Sequence, residues 1–373
     1  MGTTFNTLEL KPEAEPAAAA AATPDPARLE AFMGKMVGDM GAANGGALVI
    51  LGERLGLYRA LAEGGPATSQ ELAERTGTHE RYVREWLSAQ AAAGYVEYDA
   101  ETQRFFMSPE QAMALADADS PVYLASAFQL TASVYMDEPK IAEAFRTGEG
   151  VGWHEHSSCL FCGVEQFFRT GYRAHLVQEW LPALDGVVER LQTGAKVADI
   201  GCGHGASTII MAQAFPNSRF VGLDYHQDSI DRARDAAREA GSPPNLAFET
   251  ASAKDSPGES YDLVAVFDAL HDMGDPVGAA RRVREMLKSD GVFMIVEPMA
   301  GDSLVENMNP VGRMYYAAST MICTPGSLAQ EVGLGLGAQA GPRRLKQVLA
   351  EAGFSRVRVA TQTQFNLILE ARP

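Results

Sequence analysis

Residues 197–207 read VADIGCGHGAS, an apolar run, an acid at Asp199, then glycines at 201, 203 and 205. A glycine loop between a strand and a helix lets backbone N–H groups come close to a bound ligand. A nucleoside triphosphate would need Gly-Lys-Ser/Thr after the glycines, and that lysine is absent. A dinucleotide loop carries its third glycine three residues after the second, whereas here the glycines alternate. Asp199, two residues ahead of Gly201, would repel a pyrophosphate and attract an ammonium.

Two further features narrow the ligand. Asp224 ends the next strand pattern, where a carboxylate can accept hydrogen bonds from both hydroxyls of a ribose. ETASAKD (249–255) follows the third strand and is placed to edge an adenine. An adenosyl ligand with a cationic tail, S-adenosylmethionine, satisfies all three observations. A base candidate stands in DALHDMGDP (268–276), where His271 follows the fourth strand on the sheet edge that binds ligands in open α/β folds. Asp272 or Glu297 could orient its imidazole and favour the charged form after proton capture. Capping the strand end is the plainer role for His271.

GWHEHSSCLFCGVEQFF (152–168) holds His154, His156, Cys159 and Cys162. One His-x-His with one Cys-x-x-Cys is a weaker zinc signal than paired cysteine motifs. These side chains are therefore expected to reach over the cofactor as part of an acceptor pocket, with His154 and His156 as second-choice bases and no metal. Phe168, Tyr172, Met314, Tyr315, Tyr316 and Met321 are candidates for the pocket wall, although Met and aromatic stripes more often serve a core.

Taken in order, VADIGCGHGAS, FVGLDYHQDSI, YDLVAVFDALHDMGDP and LKSDGVFMIVEP resemble the class I S-adenosylmethionine-dependent methyltransferases. With the head domain described below, the chain resembles a bacterial subgroup, similar to small-molecule O-methyltransferases, in which that domain is architectural. The resemblance implies a seven-stranded Rossmann-like sheet with the last strand antiparallel. It also implies cofactor contacts at Asp199, Gly201, Gly203, Asp224, Tyr225, Ala253 and Asp268. His271 corresponds to the histidine of that subgroup's LHDW stretch, which takes the acceptor's proton, and Met273 replaces the Trp. Oxygen is the acceptor the resemblance favours; nitrogen, sulfur and carbon stay open.

The elements that must position these residues fall into parts. Residues 1–27 read as a flexible Ala/Pro-rich tail and 28–110 as a winged-helix domain. Within it, LGERLGLYRAL carries a stripe through Leu51, Leu55, Tyr58 and Leu61, and TSQELAERTG starts on a Ser/Thr cap. HERYVREWLSAQAAAGYV puts Tyr82, Val83, Trp86 and Leu87 on one face, and two strands follow. Residues 111–193 form a helical linker and cover, with separate helices expected in SPVYLASAFQLTASVYM and PKIAEAFRTGEG. From 194 to 373 strand and helix patterns alternate, predicting an α/β domain with a mainly parallel sheet. The long stretch 298–341 is expected to cap a site.

Against 31 basic side chains stand 48 acidic ones, a formal net charge of −17. Such a surface disfavours nucleic acid. The helix expected at 79–93, where a winged-helix module reads a major groove, carries two acids beside two arginines. No apolar run reaches the ~18 residues of a membrane span, and four cysteines fit a reducing compartment. The expectation is a cytoplasmic homodimer acting on a small molecule. The alternative is a winged-helix transcription regulator that senses S-adenosylmethionine. A methyltransferase for protein or nucleic acid would want an open groove, against which the 298–341 cover argues.

Overall fold

The computed structural model describes residues 23–255 and 260–373, so most of the expected tail lies outside the described residues. The chain divides into two compact units, residues 1–44 and 45–373. What is described of the first is mainly the opening of a 29-residue helix, Pro26–Arg54. Its Leu29, Phe32, Met33, Met36, Val37 and Met40 recur three or four residues apart, and all are exposed.

In the second unit the winged-helix module differs from its sequence reading at one joint. The stripe through Leu51, Leu55, Tyr58 and Leu61 does not lie on a single helix. The long helix ends at Arg54, Gly56 turns into the left-handed region at φ 68°, and a new helix runs Leu57–Gly64. Tyr58 and Leu61 are buried, whereas Leu51 and Leu55 face outward. Thr68 opens helix Ser69–Thr76 with a reciprocal capping box to Glu71, and Gly77 closes it. Helix Glu80–Ala92 buries Val83, Trp86 and Leu87, with the Trp86 indole donating to the Leu48 carbonyl at 2.8 Å; Tyr82 is exposed. Strands β1 (Glu97–Asp99) and β2 (Arg104–Phe106) pair antiparallel as the wing.

The linker is less divided than expected. Phe128–Thr147 is one helix running through Pro139, so the two expected helices are joined. Helix Ser158–Gly171 continues into widened turns over Tyr172–Trp180 and buries Tyr172, Leu176 and Trp180.

The α/β sheet consists of β3 (Lys196–Ile200), β4 (Arg219–Asp224), β5 (Leu246–Thr250), β6 (Tyr261–Phe267), β7 (Leu287–Pro298), β8 (Arg356–Gln362) and β9 (Asn366–Arg372). The spatial order is β5-β4-β3-β6-β7-β9-β8; β9 is antiparallel to both neighbours and the other pairs are parallel. This is the seven-stranded sheet with the last strand antiparallel. Apolar residues run without a break from Leu263 to Phe267 in β6 and from Val292 to Val296 in β7 because both faces are covered. On one face Leu176, Trp180, Val197 and Met294 form a core; on the other Ile200, Val266, Ile295 and Leu349 do so. The order reverses between β3 and β6, so their carboxyl ends open a crevice.

Candidate active site

The glycine loop leaves β3 at Ile200 and enters helix Ala206–Ala214. Gly201, Gly203 and Gly205 all have positive φ, at 70°, 52° and 81°. At Gly205 packing adds to the requirement, since a Cβ would stand 2.5 Å from the Phe248 ring. Beneath the loop, Asp199 is fully buried. Its Oδ2 accepts from the Ser207 and Thr208 hydroxyls at 2.6 and 2.7 Å, which ties the strand to the first turn of the helix. Its Oδ1 is buried without a partner. Burial pushes the Asp199 carboxyl up to about 7, although the two hydroxyls pull the other way.

Asp224, at the end of β4, accepts the Gly203 N–H through Oδ2 at 3.0 Å and the His226 N–H through Oδ1 at 2.9 Å. Each oxygen keeps a second lone pair for a ligand hydroxyl. Burial raises this carboxyl too, against the backbone donors. Asp268 follows β6 at φ 49°, a left-handed conformation that few non-glycine residues adopt and aspartate adopts more readily than most. Tyr172 O–H donates to its Oδ2 at 3.0 Å and the Asn366 amide to its Oδ1 at 2.9 Å. Burial, reinforced by the charge of Glu297, holds Asp268 well above the usual carboxylate range.

These groups open on a cavity of about 450 Å³. His271 sits in its wall, buried, with Nδ1 2.7 Å from Glu297 Oε2 and Nε2 3.1 Å from Asp272 Oδ1. Burial alone would lower the imidazole; the carboxylates of Asp272 and Glu297 outweigh it and hold the ring well above its ordinary value.

Gly201, Gly203, Asp224, Tyr225, Ala253, Asp268, His271, Asp272, Phe168, Tyr172, Met314 and Tyr315 all line this one cavity. Asp199 lies under its floor and Glu297 behind His271. His154, His156, Tyr316 and Met321 are not among its lining residues. His156 is instead buried against Asp137, its Nδ1 3.0 Å from the carboxylate, and Cys162 is exposed. Sequence reasoning missed Trp153, Phe161, Phe167, Ile322, Cys323 and Gln330, which also line the cavity. Within the 298–341 stretch a helical segment runs over Pro310–Ala318 and on through Leu328. Gln330 fastens it to the strand-end loop, donating to the Asp272 carbonyl at 2.8 Å and accepting the Gly274 N–H at 3.1 Å.

Comparison with known proteins agrees with this geometry. Residues 191–353 match the model of a methyltransferase domain, and residues 43–117 match an Rv2258c-like winged HTH domain. The two matches follow one another along the chain, the winged-helix one first and the methyltransferase one second. Over 131 residues, 33% of the chain, the sequence is 30% identical to 27-O-demethylrifamycin SV methyltransferase of Amycolatopsis mediterranei (strain S699). The match spans only about half, 48%, of that relative's length. It is 24% identical to the mitomycin biosynthesis 6-O-methyltransferase of Streptomyces lavendulae over 65% of this chain and 71% of that one. Human N-acetylserotonin methyltransferase, solved in complex with SAM, has the same fold, with a TM-score of 0.68 at 16% identity over 95% of this chain and 99% of that one. None of the helices among the described residues is long and apolar enough to cross a membrane.

Proposed function

We propose that this chain transfers a methyl group from S-adenosylmethionine to a small, largely apolar acceptor held in the 450 Å³ cavity, and that the acceptor atom is oxygen. One observation carries the cofactor assignment. A fully buried carboxylate oxygen, Asp199 Oδ1, has no partner beneath a glycine loop that supplies backbone N–H groups. An anionic tail would be repelled there, and an ammonium would satisfy the oxygen. Asp224 would hold the ribose, Tyr225 and Ala253 would flank the adenine, and Gly201, Gly203 and Asp268 would complete the cradle. When bound, the cofactor supplies a methyl carbon activated by its sulfonium.

The residues then have two tasks. Phe168, Tyr172, Met314 and Tyr315 hold the acceptor in line and exclude water; such positioning is worth about 7–11 kcal/mol of a barrier. His271 takes a proton at Nε2 where the acceptor must lose one, a contribution of typically ~10²–10⁴ in rate. Glu297 at Nδ1 orients the ring and, with Asp272, favours the imidazolium that forms.

The exposed apolar side chains between Leu29 and Met40 support self-association, and we read the working form as a cytoplasmic homodimer. On helix Glu80–Ala92 the arginines are tied within the helix, Arg84 to Glu80 at 2.8 Å and Arg81 to Glu85 at 2.6 Å. Together with the net charge of −17, this speaks against the regulator alternative. Incubation with methyl-labelled S-adenosylmethionine and a metabolite extract tests the proposal. Label in a small product supports it; label confined to protein or nucleic acid, or no transfer, rejects it.

A further inference from the structure

The cavity wall brings the proposed base and its neighbouring carboxylate together with a thiol, Cys323, that methyl transfer does not use. His271, Asp272 and Cys323 each present one ligand-capable atom, and these atoms all lie within 4.8 Å of one another. Two of the residues come from the loop after β6 and the third from the cap, so the fold brings together groups separated by about fifty positions of sequence.

We propose that His271 Nε2, Asp272 Oδ1 and Cys323 Sγ form a binding site for one soft divalent cation of the zinc class.

Three features of the cluster support this. Nε2 and Oδ1 approach to 3.1 Å, yet the buried Oδ1 takes part in no hydrogen bond, so the ring edge and the carboxylate are close without being aligned on one another. Ligands about 2.0–2.2 Å from a tetrahedral zinc stand roughly 3.3–3.5 Å apart, close to this separation. Next, Glu297 Oε2 lies 2.7 Å from Nδ1. An ionised carboxylate can only accept, so with Glu297 ionised Nδ1 keeps its proton, and the cation takes the place of the proton that the imidazolium carries on Nε2. A carboxylate behind a ligating histidine is the usual outer support of such a site. Finally, thiolate with imidazole selects zinc over magnesium or calcium. On binding, His271 Nε2 and the Cys323 thiol each release a proton to solvent, and thiolate and carboxylate together offset the charge of the cation.

All three residues line the cavity, which leaves a fourth coordination position open toward it. An occupied Nε2 cannot take a proton, so cation binding and base catalysis at His271 exclude each other. The site does not depend on the methyl-transfer reading and is measured without the cofactor.

The test is titration of the metal-stripped full chain with Co²⁺ followed by absorption. One equivalent per chain should give a near-ultraviolet thiolate-to-cobalt band together with visible ligand-field bands, and Zn²⁺ should abolish both. Cys323→Ser should remove the thiolate band, and Asp272→Asn should weaken Co²⁺ binding at least tenfold. Cys162→Ser, which alters an exposed thiol, should leave both unchanged. Circular dichroism checks that each variant folds; should Cys323→Ser fail, Asp272→Asn and Glu297→Gln carry the test, each expected to weaken binding. Absence of a thiolate band at one equivalent, a band that survives Cys323→Ser, or unaltered affinity in Asp272→Asn overturns the proposal.

Discussion

Asp199 sits where function and stability oppose one another, and Asp199→Asn separates them. Burial brings this carboxyl to about 7 in the folded chain, whereas an exposed aspartate ionises near ~3.9. Between those values the folded chain keeps a proton that the unfolded chain has released. The group's contribution to stability is therefore fully present below about pH 4 and is lost as pH rises through about 7. At 1.36 kcal/mol per pH unit, a gap of roughly three units sets a ceiling of about 4 kcal/mol lost by pH 8. Asparagine keeps an oxygen for the Ser207 and Thr208 hydroxyls and never ionises. Urea unfolding of the cofactor-free protein should show the variant about 1–4 kcal/mol more stable than the parent at pH 8, with the advantage gone near pH 4. Calorimetry at pH 8 should show its affinity for S-adenosylmethionine reduced about thirtyfold or more, since losing one partner of a buried charge pair costs roughly 2–5 kcal/mol. A variant no more stable at pH 8 than at pH 4, relative to the parent, would refute the stability argument. Intact cofactor affinity would remove Asp199 from the site.

Other perturbations probe separate parts of the account. His271→Ala should lower turnover on a hydroxyl acceptor by about 10²–10⁴ and leave cofactor affinity within twofold; unchanged turnover in a steady-state assay clears it of a base role. Gly205→Ala combines a left-handed backbone, costing about 1–2 kcal/mol, with a Cβ against Phe248, costing about 1–3 kcal/mol. Its denaturation midpoint should fall accordingly, and an unchanged midpoint would mean that the loop relaxes. Gln330→Ala frees the cap from the strand-end loop and should raise KM for the acceptor more than that for the cofactor; equal effects would mean that the cap does not cover the acceptor side.

The α/β domain was legible because its strands are nearly continuous apolar runs ending in chemistry-bearing residues. KVADI, RFVGLD and YDLVAVF appear as β3, β4 and β6 at the expected positions. Asp199, Asp224 and His271 could be placed because the carboxyl ends of parallel strands converge on one crevice. The joint at Gly56 was not legible, since a helical stripe persists through one left-handed residue. Pro139 misled in the opposite direction: the helix runs through it.

His154 and His156 drew notice by residue type alone, and nothing in their spacing foretold that His156 turns toward Asp137. Phe168 was picked out, but Phe161, Val164 and Phe167, which share its helix and also line the cavity, carried a readable signal of the same kind. It was overlooked because the cysteines and histidines beside it looked more reactive. Cys323 could not have been placed next to His271 without the path of the cap.

Isothermal calorimetry of the purified chain against S-adenosylmethionine, S-adenosylhomocysteine, NAD⁺ and ATP tests the central claim most directly. The account predicts saturable heat at one site per chain from the two adenosyl compounds, competition between them, and none from the phosphate-bearing nucleotides. Heat from NAD⁺ or ATP with indifference to both adenosyl compounds would contradict it.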